Sequence, residues 1–169
     1  MADPPGFVSN GPVSNGPVGN GPVSGQLTIR AFAPADEASV VALWRTCGLV
    51  RDWNDPHKDI QRKLTTQPEL FLVGEVSGRV VASVMAGYDG HRGWVNYLAV
   101  EPDTRGFGYA RTLMAEVERM LTERGCPKLS LQIRSTNERV VAFYQRLGYA
   151  VDPVISMGKR LIPDVPARL

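Results

Sequence analysis

The chain has 169 residues, 43% hydrophobic and 21% charged, with 19 basic against 17 acidic side chains and a formal net charge of +2. That length suits a single core, and the near-balance of mixed charge argues against a bulk nucleic-acid binder or an acidic interaction tail. No run approaches the ~18 apolar residues of a membrane span, and the N-terminus lacks the basic start and apolar run of a secretory signal, so the expected protein is cytoplasmic, without a membrane or nucleic-acid partner.

The first 25 residues hold six glycines, five prolines and one charge, Asp3. Within them a five-residue unit recurs as Val8–Pro12, Val13–Pro17 and Val18–Pro22. Such units carry too little apolar surface to offset their ordering entropy. Residues 1–25 therefore read as a disordered arm, and 26–169 as the folded domain. Leu27–Ala31 reads as a strand, and Pro34-Ala-Asp-Glu opens a helix whose Val40, Val41, Leu43 and Trp44 keep helical spacing until Gly48. Cys47 at its end and the distant Cys126 lack paired-ligand spacing, which disfavours a disulfide framework or a zinc site; no metal is expected.

A polar turn, Arg51–Pro56, leads into a charged amphipathic segment ending near Leu64. Leu70–Val76 and Val80–Tyr88, joined by Ser77-Gly78, read as a hairpin, and Asp89–Gly93 turns the chain into a further strand, Trp94–Val100. Glycines 106 and 108 then lead from the strand end at Pro102 into a helix with an apolar face of Ala110, Leu113, Met114, Val117, Met120 and Leu121. The first N–H groups of such a helix lack intrahelical acceptors and, with Arg105 and Arg111, suit a phosphate or pyrophosphate; a plain glycine turn is the alternative. A dinucleotide fingerprint fits poorly because Arg111 stands where its last glycine belongs, and no Gly-Lys-Ser/Thr follows for a Walker loop. After a strand over Lys128–Arg134, Asn137 suits a helix cap, Val140, Val141, Phe143, Tyr144 and Leu147 form an apolar side, and Gly148 ends the helix before a strand around Tyr149. Tyr144 alone is compatible with a core aromatic.

Arg105-Gly-Phe-Gly108-Tyr-Ala110 and Asn137–Tyr149 together resemble the two signature segments of GCN5-related N-acetyltransferases, Arg/Gln-x-x-Gly-x-Gly/Ala and Asn-x-x-x-x-x-Phe-Tyr-x-x-x-Gly-Tyr/Phe. Order and spacing agree over roughly residues 27 to 162, and Trp53–Pro56, Gly87–Gly93 and Ser156–Leu161 look like the small bacterial YpeA-type branch. The resemblance implies an α+β fold, α/β by some schemes: a mixed, mostly antiparallel sheet splayed between its fourth and fifth strands and flanked by helices. Acetyl-CoA would lie in the gap as co-substrate. Arg105, Gly106, Phe107, Gly108, Tyr109, Ala110 and Arg111 would then hold the pyrophosphate, Leu98, Ala99 and Val100 would pair with the pantetheine, and Asn137 would touch the cofactor arm. Leu98 N–H would polarise the thioester carbonyl, and Tyr144 would protonate the departing thiolate.

The implied reaction is direct attack by a primary amine on the thioester. For an amine of pKa ~10.4 at pH 7, neutralisation costs roughly 4 to 5 kcal/mol, against about 1 to 1.5 for an α-amine near pKa 8. Relatives place a catalytic glutamate on the fourth or fifth strand, but Trp94 and Gln132 occupy those positions here. A water-relayed proton exit or an acceptor of lowered pKa is therefore expected, and a catalytically silent acyl-CoA-binding module is the rival reading. Trp53, Asn54 and Tyr97 are candidates for the acceptor side, alongside Asp52, Asp55, Glu75 and His91; Asp55 also suits a helix cap and His91 a solvated turn. The partner would be a small molecule or protein bearing an amine, and the protein a monomer or a homodimer, the last strand being a possible dimer edge.

Overall fold

The computed structural model describes residues 25–164. In chain order these form β1 (Thr28–Ala31), α1 (Glu37–Thr46), α2 (Pro56–Leu64), β2 (Phe71–Val76), β3 (Arg79–Tyr88), β4 (Gly93–Val100), α3 (Tyr109–Glu123), β5 (Leu129–Leu131) and α4 (Glu138–Arg146). The strands make one five-stranded sheet in sequence order. The pairs from β1 to β4 are antiparallel and β4–β5 is parallel. The disordered-arm reading of residues 1–25 falls outside the described residues except at Gly25, whose carbonyl accepts a 2.9 Å hydrogen bond from the Tyr109 hydroxyl.

Local chemistry sets the element ends. Asp36 accepts from Ala33 N at 2.8 Å and takes the Arg30 guanidinium through both oxygens, fixing the entry to α1. Asp55 accepts from the backbone of His57 and Lys58 while Pro56 starts α2, a cap followed by the residue that best tolerates a missing donor. Ser77 and Gly78 both take positive φ, the geometry that a two-residue hairpin turn needs.

The sheet is covered on both faces. On one side Leu113, Met114, Val117 and Leu121 of α3, with Tyr144 of α4, pack on Leu72, Val84 and Val95. On the other, Val40, Val41, Leu43 and Trp44 of α1 and Ile60 of α2 pack on Phe71, Val73, Met85 and Ala99. Trp44 is fully buried and its indole N–H donates to Ser83 Oγ at 2.9 Å.

The expected strand over Lys128–Arg134 is confined to Leu129–Leu131, which pair with Gly93–Val95. Beyond Val95 the fourth strand bulges: Asn96 faces Met85 and Ala99 faces Ser83, so Tyr97 and Leu98 together oppose Val84. Tyr97 sits in the left-handed region at φ 53°. With the β4 edge turned away, residues 132–134 have no neighbour to ladder against. The expected strand around Tyr149 is also not formed. Residues 149–164 form neither helix nor strand, so the suggested dimer edge is not a strand of the described fold.

Candidate active site

The α3 mouth has the form that the glycines imply. Gly106 and Gly108 take φ of 91° and 84°, which a side chain would strain, although nothing lies within 4 Å of a built Cβ at either. Thr112 N donates to Gly108 O at 3.0 Å, which makes Gly108 the N-cap and leaves the N–H groups of Tyr109, Ala110 and Arg111 without intrahelical acceptors. Arg105 and Arg111 are exposed beside this mouth. Phe107, half-exposed, stacks on Tyr109 with centroids 5.8 Å apart. The Tyr109 side chain is buried and tied to Gly25, so only its backbone serves the mouth. Cys47 donates to Val100 O at 3.3 Å, close to Arg105, whose Nε donates to the same carbonyl at 3.3 Å.

The preceding strand supplies an open edge. Ala99 and Val100 pair with Ser83 and Ala82 of β3, but nothing from β5 pairs with Asn96–Val100. The sheet is thus splayed between its fourth and fifth strands, leaving a β4 edge without a strand partner where an extended ligand can add, apart from Val100 O, which Cys47 and Arg105 already engage. The bulge also inverts side-chain parity. Tyr97 packs on Trp44, centroids 4.1 Å apart, while Leu98 and Val100 join the α3 cluster.

Asn137 occupies the N-cap position of α4, yet its side chain makes no capping bond, so the expected cap is positional only. Its exposed carboxamide is available to a ligand. Tyr144 is buried, its ring edge-on to Phe143 and Tyr149. Burial pushes its phenol up to about 12. It belongs to the same apolar cluster as Leu98, Val100, Leu131 and Val140. Tyr144 also lines a cavity of about 910 Å³ with Leu129, Leu131, Ile133 and Val141; the lining includes neither Leu98–Val100 nor the α3 mouth.

On the opposite face Tyr97 donates to Asp59 Oδ2 at 2.6 Å, and burial together with that carboxylate pushes its phenol up to about 12. Asp59 is also approached by Asn54 Nδ2 at 3.4 Å and by Arg62 at 3.1 Å. Arg62 in turn pairs with the buried Asp164, and Arg160 donates to Asn54 Oδ1 at 2.9 Å. The exposed Trp53 ring lies under the Arg134 guanidinium, 5.9 Å from its centroid. Asn54 and Tyr97 therefore meet at Asp59, which sequence reasoning did not single out, while Trp53, the residue before Asn54, lies against Arg134. Its one signal is helical: Asp59 and Lys63 are four apart on α2, and Lys63 reaches across to Ala86 O.

Asp52 is exposed in the turn before α2, and the other candidates have structural partners. Asp55 is the α2 cap, Glu75 pairs with Arg30, and His91 is exposed in the Asp89 turn. Trp94 donates to Asp89 at 3.1 Å and Gln132 to Ser156 Oγ. Neither side chain is a base. Among the described residues no group of His, Cys, Asp or Glu is placed to hold a metal ion, and no helix is long and apolar enough to cross a membrane.

The splayed mixed sheet with a glycine-opened helix mouth beside its free edge is an acetyltransferase fold, and residues 38–149 match the model of the acetyltransferase (GNAT) family. The chain belongs to that family. It is 51% identical over 138 residues to an acetyltransferase of Yersinia enterocolitica, covering 82% of this chain and 98% of that protein. Among solved structures it is similar to Ard1 from Thermoplasma volcanium, with TM-score 0.66 and 26% identity over 75% of this chain and 84% of that one. The fold also matches AAC(6')-Iy in complex with the bisubstrate analog CoA-S-monomethyl-acetylneamine, with TM-score 0.66 and 19% identity over 80% and 99% of the two chains.

Proposed function

We propose that this chain moves the acetyl group of acetyl-CoA onto a primary amine by direct attack. The observation that supports the reading is the succession, in chain order, of the β4 edge left free by β5 and a helix that opens with N–H groups on Tyr109, Ala110 and Arg111 lacking intrahelical acceptors. The N–H groups over Gly106–Arg111, with Arg105 and Arg111, bind the pyrophosphate; the Leu98–Val100 edge takes the pantetheine; Asn137 contacts the cofactor arm.

The amine nitrogen attacks the thioester carbon, the C–N bond forms, and the C–S bond breaks. Leu98 N–H stabilises the oxyanion as it develops. A phenol pushed up to about 12 keeps its proton at neutral pH, so Tyr144 acts chiefly as a hydrogen-bond donor to the leaving sulfur. The excess proton on nitrogen leaves through water, since Trp94 and Gln132 cannot take it. Trp53, Asn54 and Tyr97 form the acceptor side, which receives a small-molecule or protein amine. Naa20 and AAC(6')-Iy, which share the fold, were each solved with a bisubstrate analogue. The transferase comprises residues 26–169 and acts in the cytoplasm, with residues 1–25 dispensable for cofactor binding.

The test pairs calorimetry with CoA and acetyl-CoA against thiol release with lysine, spermidine, an alanyl-initiated peptide and kanamycin. Cofactor binding with amine-dependent thiol release is expected. Binding without release across the panel identifies the silent module instead, and no binding by folded protein removes the reading.

A further inference from the structure

The chain that follows α4 is tied to the domain near both ends. Beside β5, Lys128 Nζ meets both Asp152 oxygens at 2.7 and 2.6 Å, and Gln132 donates to Ser156 Oγ. At α2 the buried Asp164 takes Arg62 on its carboxylate, and its carbonyl accepts from Lys58 Nζ at 2.7 Å. Between these anchors Arg160 reaches the turn before α2 and donates to Asn54 Oδ1 at 2.9 Å. The neighbouring Trp53 ring carries the Arg134 guanidinium, which comes from the chain just past β5. Two guanidinium groups from separate segments thus converge on Trp53 and Asn54.

This turn lies across the mouth of the splay. Asn54 Nδ2 approaches Asp59, and Asp59 accepts from Tyr97 of β4, while Trp53 meets Arg134 on the β5 side. Leu98, which would polarise the thioester, is the next residue of β4. The local carboxylates are already engaged: Asp59 and Asp164 by Arg62, and Asp55 by the first N–H groups of α2. Asp52, exposed in the same turn, bonds to neither guanidinium. Among the described residues Arg134 and Arg160 rest on neutral partners, an aromatic face and an amide oxygen, with N–H donors to spare. Arg51 and Lys159, near them in sequence, add charge of the same sign.

Such a pair suits an oxyanion, which a guanidinium meets through two parallel N–H donors. Fixed positive charge also disfavours an ammonium beside it, so an acceptor carrying only cationic groups is repelled. Resting on the acetyl-transfer reading above, we propose that the acceptor is a small amine that also bears an oxyanion, a carboxylate or a phosphate, and that Arg134 and Arg160 bind that group beside the Trp53 ring. Asp164 is a positioning residue: it anchors the chain that carries Arg160.

The test measures thiol release from acetyl-CoA with α-amino acids against their carboxamides, and with phosphoethanolamine against ethanolamine. In each pair the uncharged member has the more readily deprotonated amine, so a preference for the anion comes from the site. In at least one pair kcat/KM should be about tenfold or more higher for the anionic member, and that pair tells carboxylate from phosphate. Arg134→Ala and Arg160→Ala, both at exposed side chains, should each raise the KM of the anionic member and collapse the preference, with CoA affinity by calorimetry unchanged. Asp164→Asn should lower the same ratio, whereas a merely structural role would depress both members alike. Equal rates within every pair, or release with spermidine and kanamycin alone, overturn the proposal and leave acetyl transfer standing. Arginine variants that keep the preference overturn it as well, as does a parallel loss of CoA affinity, which would assign the guanidinium groups to the cofactor's phosphates. CoA binding without release from any amine fells the acetyl-transfer reading itself, and the proposal with it.

Discussion

The Tyr97 hydroxyl donates a 2.6 Å hydrogen bond to Asp59, tying the bulged β4 to the α2 helix beside Asn54. Tyr97→Phe leaves Asp59 to Arg62 and Asn54, and the expected stability loss is about 0.5–1.5 kcal/mol. The acceptor KM should rise while CoA affinity is unchanged. Urea denaturation and calorimetry separate the two effects. Wild-type KM in the variant would detach Tyr97 from the acceptor side.

Gly108→Asp forces a side chain onto φ 84° and puts a carboxylate at the α3 mouth. The backbone strain costs ~1–2 kcal/mol, and the charge should weaken CoA at least tenfold, about 1.4 kcal/mol. Gly108→Ala carries the same strain without the charge, so calorimetry on both isolates the electrostatic share. Equal affinities would show that the mouth holds no anion.

Tyr144→Phe removes the hydroxyl and leaves the ring packing in place. With an acceptor whose turnover is limited by chemistry, kcat should drop on the order of 10²-fold, as when one donor to a developing charge is lost. CoA affinity should not move. A wild-type kcat would end the proposed role.

Two carboxylates make stability acid-sensitive. The Arg30 guanidinium holds the Asp36 carboxyl below its usual range, and Arg62 holds Asp164 down to about 2. Both folded values lie beneath the unfolded value of about 3.9. Their stabilisation is therefore fully present above that pH and is lost as pH falls through the folded values. Urea midpoints measured from neutral pH down to about pH 2 should decline chiefly below about pH 4, and less steeply in Asp36→Asn.

Ser83→Ala orphans the buried Trp44 indole N–H in the core between α1 and the sheet. The expected cost is about 1–3 kcal/mol, read as a lower urea midpoint at unchanged slope. A change within error would mean that the indole finds another acceptor.

Helices and hairpin were legible because their periods are local. Val40, Val41, Leu43 and Trp44 are all buried on one face of α1, and Ser77-Gly78 makes the turn placed there. The family likewise followed from two short segments with fixed spacing. The shortened β5 and the unpaired Tyr149 region were not legible, because a strand exists only where a neighbour offers matching donors and acceptors. The Tyr97–Asp59 bond was hidden for a similar reason. It depends on a bulge that turns Tyr97 toward α2, and the run Asn96-Tyr97-Leu98 carries no glycine or proline to announce it.

That bulge also explains why the slot does not zip shut. A regular β4 would swing Leu98 and Val100 into the space where Ala99, 2% exposed, fits beneath α1, and would pull Tyr97 off Trp44. Healing the sheet thus collides with its own interior. The gap is held apart by steric phase, a wedge one residue wide that persists whether or not anything fills it.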